Sequence, residues 1–136
     1  MTMEETIRDH EGQPLAVILR ASSQKDGIHF VSEPEYPLQL GVSCYRGGET
    51  VKPHIHLPRE ITLNQIQEVL HVESGRVAID LYDMSRRRTG SVVLATGDTI
   101  LLVSGGHGLR FLEETRIVEV KQGPYAGREQ DKREIP

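Results

Sequence analysis

Residues His54 to Gly75 read H-I-H-L-P-R-E-I-T-L-N-Q-I-Q-E-V-L-H-V-E-S-G. From Glu68 onward the run has a two-residue period: Glu68, Leu70 and Val72 fall on one face, Val69, His71 and Glu73 on the other. That alternation predicts a half-buried strand closed by Gly75. His54 and His56 are two apart, so a strand there projects both imidazoles from one face. Two neutral imidazoles side by side suit a first-row divalent metal. A further histidine, His107, follows G-D-T-I-L-L-V-S-G-G. Two histidines, the Glu68 carboxylate and a third histidine, from three β segments, would complete a metal site.

The rest of the chain repeats the strand pattern. Residues 1–12 show no periodicity and are expected to form a loose arm. Strands are expected at Pro14–Arg20, Gly27–Ser32, Leu38–Arg46, Glu49–His56, Gln67–Glu73, Arg76–Met84, Ser91–Ala95, Asp98–Val103 and Thr115–Gln122, with Ser22–Gly27 as a polar turn. Ile61 to Ile66 suffice for a short extra strand inside a long hairpin connection over 57–66. Arg86-Arg87-Arg88, followed by Thr89-Gly90, reads as a charged hairpin tip. Ser104-Gly105-Gly106 is a turn whose glycines permit the close approach that delivers His107. Residues 128–136 are charged and are expected to fray. No helical period persists, and short strands at regular spacing argue for an all-β sandwich or barrel.

Composition narrows the functional classes. A chain of 136 residues is read as one domain, with its motif core at 36–122. Apolar residues make up 37%, and no run approaches the ~18 needed for a membrane span. The first ten residues are acidic and polar, unlike a signal peptide. With 1 Cys no internal disulfide is possible, and the cytoplasm is the expected compartment. A net charge of −4 argues against nucleic-acid binding. Cys44 falls on an apolar strand face and is expected in the core. His29 and His71 read as ordinary strand residues, His71 pointing away from Glu68. Lys52 shares a face with His54 and His56. Arg46 lies on the Leu38–Cys44 face, and together these two cations are candidate substrate-binding residues.

His54-x-His56 and Glu68-x6-Gly75 resemble the two ends of the first cupin motif, and Gly97, Gly105 and His107 resemble the second. The chain departs from the motifs in places. Eleven residues separate His56 from Glu68 where three or four are usual, Val103 stands at the motif proline, His107 comes one residue early, and Phe111 lies near the place of the motif asparagine. The chain also resembles small single-domain cupins of bacterial polysaccharide and nucleotide-sugar gene clusters. The resemblance implies a cupin-type β-barrel, the double-stranded β-helix or jelly roll. It implies one divalent transition metal (Zn, Mn, Fe or Ni) held by His54, His56, Glu68 and His107, with Glu60 and Gln67 as weaker claimants. The leading expectation is action on a small polar, sugar-related molecule in the manner of an isomerase or epimerase. The alternatives are an iron-dependent dioxygenase-like cupin and a noncatalytic metal- or ligand-binding barrel. A homodimer is expected, formed through the apolar runs at 14–20 and 28–31.

Overall fold

The computed structural model describes residues 4–23 and 27–136. Ten strands run in chain order: β1 (Glu4–Arg8), β2 (Pro14–Leu19), β3 (Gly27–Phe30), β4 (Gly41–Cys44), β5 (Glu68–Ser74), β6 (Arg76–Tyr82), β7 (Arg88–Ala95), β8 (Thr99–Leu102), β9 (Gly106–Phe111) and β10 (Arg116–Lys121). A four-residue helix, α1 (Arg128–Asp131), follows. Every strand pair is antiparallel. The strands form a five-stranded sheet in the order β1-β2-β8-β5-β10, a three-stranded sheet β7-β6-β9 and a two-stranded ribbon β3-β4. The expected all-β class holds; among the described strands the ladders do not close into a barrel. No helix among the described residues is long and apolar enough to cross a membrane.

One core joins the two larger sheets. Ala16, Ile18, Leu70, Val72 and Ile100 come from the five-stranded sheet, and Val77, Ile79, Leu81 and Leu94 from the three-stranded one. Each set lies at alternate positions along its strand, so the two-residue period turns directly into two inward faces. The five-stranded sheet is apolar on its other face too. There Val17, Leu101 and Val103 form a second cluster, covered by Val31, Tyr36, Leu38 and Leu40. That is why β2 is buried along nearly its whole length.

Turns are fixed by specific groups. Gly75 joins β5 to β6 at φ 103°, where any side chain would meet the Glu114 carbonyl and Thr115. The Asp83 carboxylate holds the β6–β7 turn by accepting from the backbone N–H groups of Ser85 and Arg87, both at 2.9 Å. Arg86 and Arg87 lie in the turn as expected, but Arg88 opens β7. It donates to Asp80 at 2.9 Å on the outer face of β6.

Four expectations about the chain's periphery need correction. The loose arm is a strand from Glu4 to Arg8, paired with β2. It has no core pattern because it is an edge strand with mostly exposed side chains, and Asp9 sets its turn by accepting from Glu11 N and Gln13 N at 2.9 Å. Residues 1–3 of that arm, and 24–26 of the Ser22–Gly27 turn, lie outside the described residues. The tail is docked rather than frayed: Lys121 bonds Asp131 at 2.9 Å, Arg128 bonds Glu134 at 2.7 Å, and Ile135 lies against Gly106. The run at 14–20 is spent inside the chain, between β1 and β8, and is not free to pair with a second copy. Cys44 is half-buried, because the two-stranded ribbon gives its face only partial cover.

The largest correction concerns the connection from β4 to β5. Neither the expected strand Glu49–His56 nor the short one at Ile61–Ile66 forms. Residues 45–64 are exposed throughout. Alternation alone does not make a strand; a neighbour must accept its backbone groups. Pro53 and Pro58 also remove two donors from this stretch.

Candidate metal and ligand site

Glu68 opens β5, on the face that carries Leu70 and Val72 into the core, with Leu102 of β8 and Lys121 of β10 as its cross-strand neighbours. His107 stands near the start of β9, opposite Leu81 and on the same face as Leu109, which packs on that core. The two side chains therefore come from facing sheets and meet at one open end, His107 Nε2 lying 3.4 Å from Glu68 Oε2. The glycines before His107 make this possible. At Gly105, φ is 74° and a side chain would run into the Tyr82 carbonyl and Leu15; at Gly106 it would meet Ile135. The Gly-rich turn thus does what its sequence implies.

The interaction with the His107 imidazole is the main cause that lowers the Glu68 pKa below the usual carboxylate range. Partial burial opposes it, and the charges of His107, Lys121 and Lys132 reinforce it. The pair opens onto a cavity of about 600 Å³ whose walls include Ile66, Tyr82, Lys121 and the tail residues Asp131 to Ile135. The Asp131 carboxylate holds Lys121 from one side, raising its pKa chiefly through their hydrogen bond, and the Tyr125 ring lies 5.4 Å away.

Of the four expected donors, only Glu68 and His107 stand close enough for their spacing to be compared with that around a metal. Two ligand atoms each about 2.1 Å from a tetrahedral ion stand roughly 3.4 Å apart. The observed 3.4 Å between Glu68 and His107 meets that value and is long for an N–H···O bond. An ionised carboxylate and an imidazole are also the right donors for the metals named above.

His54 and His56 are not gathered with that pair. Among the described residues, no group of three or more His, Cys, Asp or Glu is placed to hold an ion. Both histidines ride on the exposed connection, with ring centroids 5.5 Å apart. His54 Nδ1 is 2.8 Å from the Lys52 carbonyl. A carbonyl only accepts, so Nδ1 carries the proton and the Nε2 lone pair is left for another partner. Lys52 and Arg46 are exposed and stand outside the walls of the Glu68–His107 cavity. Glu60 faces solvent beside the 34–37 turn. Gln67 is wholly buried with its side chain committed, Oε1 accepting from Leu38 N at 3.3 Å and Nε2 donating to the Val103 carbonyl at 3.4 Å. His71 points away from Glu68 as expected and meets Thr99 Oγ1 at 2.8 Å, while His29 lies 3.5 Å from Glu4.

Sequence reasoning missed Lys121 and the tail. A signal was present: Ile117, Glu119 and Lys121 share one face, and the change from apolar to charged along it marks the open, wet end of the sandwich. The tail carried no such signal, since a charged segment does not reveal what it folds against. Searches against protein-family models, curated proteins and solved structures return no match for this chain.

Proposed function

We propose that this chain is a cupin-type barrel that holds one divalent transition metal and uses it on a small polar molecule, with sugar-related substrates first in line. The observation that carries the reading is the Glu68–His107 pair, set 3.4 Å apart at the mouth of a cavity large enough for a monosaccharide-sized ligand. Glu68 and His107 are two of the ligands, and His54 and His56 supply the others.

When bound, the ion supplies a Lewis acid that polarises a carbonyl or hydroxyl oxygen. The chain's own groups set the surroundings. Glu68 stays ionised and so remains a donor at neutral pH. Lys121, tethered by Asp131, offers a cation beside it for a carboxylate or phosphate on the ligand. Ile66, Leu102 and Ile135 limit water on the apolar side of the cavity.

The test is a titration of purified, metal-free protein with Zn²⁺ and with Mn²⁺. Wild type takes up one equivalent. Glu68→Gln and His107→Ala weaken binding by more than about 10-fold, and His71→Ala leaves it unchanged. Undiminished binding in His107→Ala, or loss confined to His71→Ala, removes the reading. Turnover of nucleotide sugars by the loaded protein supports the isomerase class. Oxygen uptake instead moves the assignment to the dioxygenase class, and tight sugar binding without turnover to a noncatalytic barrel.

A further inference from the structure

The tail that follows β10 is laid over the cavity and takes no part in the core. Residues 131–135 form one wall of the cavity, yet α1 buries no residue. The backbone bonds of the tail are its own: Gln130 N and Asp131 N donate to the Gly127 carbonyl, and Lys132 N to that of Arg128. The bond from Arg128 to Glu134 also stays within it. Among the described residues, two anchors tie the segment to the sheets. Asp131 accepts from Lys121 Nζ at 2.9 Å, and Ile135 occupies the space left open by Gly106, beside Tyr82. A segment held by one part-buried ion pair and one apolar contact lies at the low end of local stability.

The polar anchor uses the group that an anionic ligand would need. Among the described residues, Lys121 is the only lysine or arginine that the sheets contribute to the cavity wall; Lys132 and Arg133 belong to the tail itself. The Lys121 and Asp131 side chains are 29% and 15% exposed, so their pair is less screened than one standing in open solvent. The Glu68 carboxylate already acts on the same ammonium. A ligand anion added beside Asp131 would set three negative groups around one positive charge, and like charges in a part-buried site repel strongly. Ligand anion and Asp131 therefore exclude each other.

We propose that Asp131 is a built-in competitor for the anionic group of the cavity's ligand, so that a phosphate or carboxylate arriving at Lys121 displaces it and frees the tail from the wall it forms. The tail is then an autoinhibitory latch. This rests on the reading of the cavity as a ligand site and not on the metal. One charge-assisted bond replaces another, so the balance is set by the tether. Lys121 and Asp131 are 10 positions apart, and a short flexible link presents the carboxylate at an effective concentration on the order of millimolar. Dilute small anions are kept out, while an anion that also contacts the rest of the cavity is admitted.

The test uses the full, metal-free chain with inorganic phosphate as the probe, followed by proton–nitrogen correlation NMR. In wild type the amides of 129–135 are expected to be dispersed and ordered. Asp131→Asn moves them to sharp, unfolded-chain positions and leaves the signals of β5 to β10 in place. Phosphate drives the wild-type tail to those same positions, and Asp131→Asn binds phosphate about 10-fold more tightly because the competitor is gone. Lys121→Gln frees the tail as well and no longer responds to phosphate. A tail that stays docked in Asp131→Asn, or an Asp131→Asn variant that binds no phosphate, overturns the inference. So does a wild-type tail that phosphate leaves in place or orders further, since the segment then closes over the ligand. Equal release by sodium chloride at matched ionic strength also overturns it, because that is screening alone. The Zn²⁺ titration answers separately. A chain that takes up no Zn²⁺ but releases its tail to phosphate loses the metal reading and keeps the latch; one that binds Zn²⁺ with an unmoved tail does the reverse.

Discussion

At the scale of single residues, two carboxylates illustrate how one chemistry is put to different ends. Asp80 lies on the outer face of β6 and accepts from Arg110 Nε at 2.9 Å, from Arg110 Nη2 at 3.0 Å and from Arg88 at 2.9 Å. The hydrogen bond from Arg110, followed by that from Arg88, holds its pKa far below the usual aspartate range. This ties β6 to both of its neighbours. Glu68 has one imidazole partner and a cavity in front of it, which is the arrangement of a group with coordination left to offer. The Asp80 cluster makes a prediction about pH. A carboxylate depressed in the folded state stabilises it above the unfolded pKa, about 3.9, and that contribution fades as pH falls through the folded value. Asp80→Asn is therefore less stable than wild type at pH 7, and the gap narrows steadily below about pH 4. Urea melts of both proteins at pH 7 and pH 3 check this; a gap that is constant with pH shows that the charge is not the cause.

At the scale of elements, the sequence was most legible where a strand has one wet and one dry face. β5, β6 and β8 were readable because Leu70, Val72, Val77, Ile79, Leu81 and Ile100 recur at alternate positions and fill a shared core. The Gly75 and Gly105 turns were readable because positive φ selects glycine. Glu68 lay on an expected strand, placed by its spacing to Gly75, and His107 was placed by the Gly-rich turn before it, while the strand that carries it, Gly106–Phe111, was not among those expected. β1 was not legible, because an edge strand can be polar on both sides and is held by its partner's backbone. The stretch over 49–56 misled in the opposite sense: it alternates like a strand, but pairing depends on a neighbour the local sequence does not describe. The packing difference between strand faces predicts a stability contrast. Ile79→Ala, at 0% exposure, should cost about 2–5 kcal/mol through lost burial and the cavity left behind. Val118→Ala, at 42% exposure on β10, should stay within about 0.5 kcal/mol. Chemical denaturation of the two variants decides it; equal losses mean that the outer face of β10 is covered in solution.

At the scale of the whole molecule, the expected homodimer can be tested through the dependence of stability on concentration. A chain that folds and functions alone melts at one temperature however dilute it is. If two copies pair, unfolding also separates them, and mass action raises the midpoint with protein concentration. A 100-fold increase is worth about 2.7 kcal/mol per dimer, or roughly 1.4 kcal/mol per chain. For a domain of this size that corresponds to a rise of about 4 °C. Added Zn²⁺ should raise the midpoint of wild type by mass action if the proposed metal site forms. Scans at micromolar and at hundreds of micromolar protein, with and without the ion, separate the two contributions. A wild-type midpoint that does not move with concentration means that the expected homodimer does not form.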